Sequence, residues 1–144
     1  MPDPLDAAAS GKQLNRWFTS EVLSVMRGAG FIDSHLDRST DLVSLSPADE
    51  DRPRSKWAIK VRSTRRVDVP EAIDQVTEAA RENGLRFAAT IQRRVGHLAE
   101  DAMVSMRLPD FLSMLALVEP EHCARPSAQF RALDMGREPR WTTR

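Results

Sequence analysis

One cysteine in 144 residues excludes an internal disulfide. Cys123, standing alone, suits a reducing cytoplasm. Its neighbour His122 adds a second ligand type, but two adjacent ligands without further partners do not make a metal site. The sequence also lacks any apolar run of about 18 residues, so no membrane-spanning helix is expected. The opening MPDPLDAAASGK is acidic and has no apolar core of the kind a secretion signal needs. There is no internal repeat, no low-complexity tract and no net charge, with 21 basic residues balancing 21 acidic ones.

That balance conceals an uneven distribution. Between Arg52 and Val67 there is no acid at all, while Arg52, Arg54, Lys56, Lys60, Arg62, Arg65 and Arg66 are all basic. Asp49, Glu50 and Asp51 stand just ahead of this run. A local basic stretch governs binding to polyanions more than net charge does, so nucleic acid is a candidate partner through 52–66. The bland reading of such a run is a solvated face.

Apolar residues make up 41% of the chain and charged residues 29%, an ordinary globular balance for a single domain. Residues 1–9 read as a loose arm, 10–118 as the folded domain, and 119–144, rich in Pro and Arg, as a second arm that orders on a protein partner. Ser10 and Gln13 have the spacing of a capping box. Leu14, Trp17, Phe18, Val22, Val25, Met26 and Ala29 then recur at helical spacing, and Gly30 supplies a stop. Residues 31–36 suit a short strand or an extended link, DLVSL at 41–45 a strand, and 46–55 a polar, proline-bearing loop.

KWAIKVR, 56–62, alternates cleanly: Trp57, Ile59 and Val61 on one face, Ala58, Lys60 and Arg62 on the other. A second helix opens at DVPE, with Asp68 and Glu71 as cap partners and Pro70 in the first turn, and closes at Asn83-Gly84. RFAATIQ at 86–92 and AMVSMRL at 102–108 read as strands, joined by a polar connection, and PDFLSMLALV at 109–118 as a short helix. Met103, Met106 and Met114 suit core filling. Trp57 belongs to the core, whereas Trp141 lies in the arm. The order α-β-β-β-α-β-β-α predicts an α/β domain with a mixed sheet and helices on its faces.

This order, with the phrases GKQLNRWFTSEVLSVMRGAGF, DLV, KWAIKVR, RRVDVPEAIDQVTEAA and VSMRLPDFLSML, resembles the small Holliday-junction-resolvase-like proteins of the PD-(D/E)xK nuclease superfamily found in actinobacterial phages and their hosts. The likeness covers about residues 10–118. It implies a restriction-endonuclease-like αβββαβ core with a mixed central sheet, here followed by an extra strand and a short C-terminal helix. It also implies a homodimer. In active members of that family, clustered carboxylates hold Mg²⁺, which activates water and stabilises the charge developing on the scissile phosphate, while a lysine orients or deprotonates that water.

Carried over residue by residue, the resemblance places the family's strand-opening Asp at Asp41, its Glu-x-Lys pair at Lys60 and Arg62, and its first-helix Glu at Thr19. Only Asp41 keeps the family's residue type. Glu21 lies about 200° around the helix from Thr19, at 3.6 residues per turn. Replacing Glu by Lys changes a metal site by two charges, and like charges about 4 Å apart cost roughly 1–4 kcal/mol. Arg62 has no usable base form. The expectation is a site without metal or other cofactor, with Asp41 paired to Lys60 or Arg62.

Three functions follow. The first is a nuclease fold that grips DNA without cutting, with Arg54, Lys56, Arg65, Arg66, Arg93 and Arg94 as phosphate contacts beside the basic strand. The second is an interaction or scaffold protein without a nucleic-acid role, using the sheet and the arm 119–144. The third is a working Mg²⁺-dependent endonuclease, a Holliday junction resolvase whose carboxylates have migrated to Asp49, Glu50, Asp51 or Glu71.

Overall fold

The computed structural model describes residues 11–46, 55–66 and 68–124. The N-terminal arm with Ser10, the loop residues 47–54 with Arg54 and the three acids, and the arm beyond 124 with Trp141 lie outside them. The described residues are α/β, with a five-stranded mixed sheet and three α-helices. The elements run α1 (Gly11–Gly28), β1 (His35–Asp37), β2 (Leu42–Ser44), β3 (Trp57–Arg62), α2 (Val69–Glu82), β4 (Phe87–Gln92), β5 (Met103–Met106) and α3 (Leu108–Val118). Short 3-10 turns occupy Ala99–Asp101 and Pro120–His122. Among the described residues no helix is long and apolar enough to cross a membrane. The chain divides into two compact units, one through Met106 and one from Arg107.

In the first unit the sheet order is β1-β2-β3-β4-β5. β3 and β4 are parallel, in register from Trp57↔Phe87 to Arg62↔Gln92, and every other neighbouring pair is antiparallel. A parallel pair needs a long crossover, and α2 supplies it. The alternation of KWAIKVR then fixes what each face of the sheet buries. Ile59 and Val61 join Val43 and the α1 residues Phe18, Val22 and Leu23 in one core, flanked by Trp57 and Ile91. Trp57 stacks on Phe87, its register partner, with ring centroids 4.9 Å apart. Ala58 joins Leu42, Ala88 and the α2 residues Val76 and Ala80 in the second core. Small residues on this face let α2 approach the sheet closely. Lys60 and Arg62 continue this face past Ala58, which sets two cations on the α2 side of the strand.

Glycines with positive φ close α1 and α2. At the end of α1 the Gly30 amide donates to Arg27 O and the Phe31 amide to Met26 O, the paired bonds of a Schellman stop with Gly30 at φ 109°. At the end of α2, Gly84 (φ 67°) donates to Arg81 O and Leu85 to Ala80 O. Leu85 packs against the second core as this motif favours. Asp68 caps α2 by accepting the Glu71 amide at 3.1 Å, with Pro70 in the first turn.

Several side chains depart from the reading by spacing. The buried face of α1 is turned so that Leu23 is inside and Val25 is 41% exposed. Met103 is 52% exposed on the edge strand β5. In the second unit Met114 is 37% exposed, so it does not fill a core either.

α3, in that second unit, has inverted polarity. Asp110, Ser113 and Ala116 are buried, while Leu108, Phe111, Leu112, Leu115, Leu117 and Val118 are exposed.

The rotation of α1 is directly measurable. Leu23→Ala is expected to destabilise the protein by about 2–5 kcal/mol in urea unfolding, as for a truncated core leucine. Val25→Ala is expected to stay within about 0.5 kcal/mol, as for an exposed site.

Candidate functional site

The turn between β1 and β2 builds the site. Asp37 closes it: its carboxylate accepts the Ser39 hydroxyl at 2.7 Å and the Ser39 amide at 3.0 Å, and its carbonyl accepts the Asp41 amide at 2.8 Å. These bonds, the Ser39 hydroxyl first, hold the Asp37 carboxyl below the ordinary carboxylate range. The turn's support from Asp37 is therefore complete above the unfolded carboxyl pKa and fades as pH falls through the lowered folded one.

Asp41 ends the turn with φ 58°, the left-handed region that Asp and Asn enter more readily than other residues. It thus stands just outside β2 rather than opening a longer strand. This geometry interrupts strand alternation at Asp41 and lets its carboxylate serve two neighbourhoods. Its Oδ2 lies 3.5 Å from Lys60 Nζ. Asp41 also lines a cleft of about 620 Å³ whose other described lining residues are Lys12, Asn15, Arg16, Thr19, Leu36 and Arg38.

The four positions singled out by the resemblance are only partly brought together. Asp41 and Lys60 form an ion pair. Thr19 shares the cleft with Asp41, yet it is 5% exposed and its hydroxyl donates to Asn15 O at 2.7 Å. Glu21, two positions on, is exposed. Arg62 is directed elsewhere: its Nη2 donates to Gln75 Oε1 on α2. Of the two strand cations, Lys60 takes the carboxylate and Arg62 braces α2.

The predicted phosphate contacts divide as well. Lys56, Arg65, Arg66 and Arg94 are exposed. Arg93 is not: it is 4% exposed and its Nε donates to Ser63 O at 3.1 Å, so it is spent on holding the end of β3 and is a structural residue rather than a surface contact. The neighbouring Gln92 Nε2 donates to Thr64 O at 2.6 Å, which anchors the loop carrying Arg65 and Arg66.

A divalent cation is what the resemblance implies for active relatives, and the residues at this cleft do not fit one. Among the described lining residues Asp41 is the one carboxylate and is paired with Lys60, the Thr19 hydroxyl donates to the helix backbone, and the other charged groups are cations. Glu71 sits on α2 and accepts the Gln75 amide at 3.3 Å. Among the described residues one group of three potential metal ligands exists, the exposed Glu119, Glu121 and His122, and Asp41 is not in it.

The spacing of Lys12 and Arg16, four apart on α1 and flanked by Asn15 and Thr19, already puts them on one helix face in the sequence. Arg38 had no such signal, because it reaches the cleft only through the tight turn that Asp37 closes. Comparison with family models, with curated proteins and with solved structures finds no match.

Backbone strain at Asp41 sets a substitution order. Asp41→Asn and Asp41→Gly are expected to keep stability within about 0.5 kcal/mol, since both residues accept the left-handed region and the ion pair is a surface one. Asp41→Val is expected to lose about 1–2 kcal/mol in urea unfolding.

Proposed function

We propose that this chain is a nuclease-fold protein that binds DNA without cutting it. The αβββαβ order on a mixed sheet supports a restriction-endonuclease-like core. The observation that carries the reading is the Asp41–Lys60 pair at 3.5 Å: an ammonium group occupies the place where a second carboxylate would help hold a metal. The ion pair is 32% exposed on the lysine and 64% on the aspartate, so its contribution to stability is at most about 1 kcal/mol. Its consequence is chemical. In active members of the family it resembles a metal-bound water supplies the nucleophile, and the described residues at the corresponding positions, Lys60, Arg62 and Thr19, offer no second carboxylate to help hold that metal.

Binding survives this loss because phosphate contacts require only exposed cations along a surface. Lys56, Arg65, Arg66 and Arg94 meet that requirement among the described residues. A four-way junction incubated with Mg²⁺ or Mn²⁺ is expected to stay intact. Cleavage that Asp41→Asn abolishes would restore the endonuclease reading. Binding to the same junction is expected to fall steeply between about 50 and 200 mM salt, and Arg65→Ala with Arg66→Ala to flatten the log–log slope by about 0.9 for each contact removed.

A second reading, an interaction protein that forms a homodimer, is favoured by α3. An 11-residue helix that buries Asp110 and Ser113 and exposes Phe111, Leu112 and Leu115 leaves an uncharged apolar face. A second copy of that face matches it in chemistry, with no charge to strand on either side. Light scattering of the full chain is expected to give a dimer mass, and Phe111→Asp with Leu115→Asp to give a monomer. A monomeric wild type would remove this reading.

A further inference from the structure

We propose that the cleft between the start of α1 and the β1–β2 turn seats one phosphate group of a nucleotide. The proposal rests on the nucleic-acid reading for what carries the phosphate, and on the cleft itself for the anion. Lys12 and Arg16, one turn apart on α1, and Arg38, from the turn, converge on a concavity of about 620 Å³. This volume lies within the roughly 300–1,000 Å³ of small-molecule sites. Three cations face one carboxylate, and that carboxylate is already held by Lys60 from outside the lining. Among the described residues the side chains of Lys12, Arg16 and Arg38 have no hydrogen-bond or ion-pair partner. Unpaired like charges around a concavity repel one another, and an anion placed among them reverses that term.

Donor geometry agrees with an oxyanion ligand. Two arginines offer planar donor forks suited to phosphate oxygens. Asn15 accepts the Ser63 hydroxyl on its Oδ1 at 3.3 Å, which leaves its NH₂ group as a further neutral donor. Leu36 supplies an apolar wall against which a sugar or base can rest. Asp41, the one acid among the described lining residues, works against the ligand, so the cleft makes a sign prediction that a metal site cannot share. Removing the Asp41 charge tightens anion binding, whereas in a metal site it weakens binding.

The test is a titration of the full ¹⁵N-labelled chain at low salt, reading the backbone amides of residues 12–19 and 36–41. The probes are inorganic phosphate, adenosine 5′-monophosphate, adenosine, and one single-stranded oligonucleotide with and without a 5′-phosphate. Phosphate and the monophosphate are expected to shift the cleft amides, and adenosine to leave them unmoved. A response to the oligonucleotide only when it is 5′-phosphorylated identifies a terminal phosphate as the source; a response to both forms identifies an internal diester. Arg16→Ala with Arg38→Ala, both exposed positions, is expected to weaken the monophosphate at least about tenfold, and Asp41→Asn to tighten it severalfold.

Cleft amides that ignore every phosphate-bearing probe, or a weakened response in Asp41→Asn, overturn the proposal. If junction binding persists while the cleft amides stay silent, the cleft assignment fails and the DNA reading stands. If phosphate and the monophosphate shift the cleft but no strand or junction binds at low salt, the DNA reading fails and the cleft stands as a seat for small phosphate esters.

Discussion

A carboxylate at the end of a five-residue turn, paired with an ammonium from the neighbouring strand, sets the charge of the candidate site. Asp41 enters the left-handed region to finish the turn, and its side chain reaches both Lys60 and the cleft beside α1. A free carboxylate at that point would invite a cation. A neutralised one leaves the surroundings positive, because Lys12, Arg16 and Arg38 have no other acid among them. The same pair underlies both the poor fit of the described cleft residues to a metal ion and the affinity for anions proposed above.

The fold delivers these groups from separate elements. α1 packs on the sheet through Phe18, Val22 and Leu23, so the adjoining face of its first turns, with Lys12, Asn15, Arg16 and Thr19, borders the cleft. The hairpin of β1 and β2 carries Arg38 and Asp41 to the same place, and its geometry rests on Asp37. β3 supplies Lys60 from the middle of the sheet, where the pairing of Val43 with Ile59 sets the neighbouring strand in place. Arg62, two residues on, faces the same way as Lys60 but is drawn to α2 by Gln75. Sharing a face of a strand is therefore not the same as sharing a site: the partner available at each position decides.

Much of this architecture was legible in the sequence. Alternation in KWAIKVR put Ile59 and Val61 on one face and Ala58, Lys60 and Arg62 on the other, though not that Ala58 is itself buried in a second core, and the order of the elements followed from periodicity together with Asp68, Pro70, Gly30 and Gly84 as punctuation. What escaped depends on packing rather than pattern. Leu23 and Val25 are both compatible with an apolar stripe, and only the angle at which α1 meets the sheet chooses between them. Met103 falls on an edge strand, where half of a strand's surroundings are missing. Arg93 reads as a surface cation beside Arg94, yet it lies at the end of β4 where the carbonyl of Ser63 needs a donor. The cleft was hidden for the same reason, since Arg38 joins Lys12 and Arg16 only after a turn has formed.

In this reading Lys60, rather than a metal ion, balances Asp41. A crystal of the full chain soaked in manganese tests it most directly, because the ion's anomalous signal marks its position without reference to activity. No ion is expected on the Asp41 carboxylate, with the Lys60 ammonium still beside it. A manganese ion seated on Asp41, with Lys60 displaced and other carboxylates closing round the metal, would contradict it.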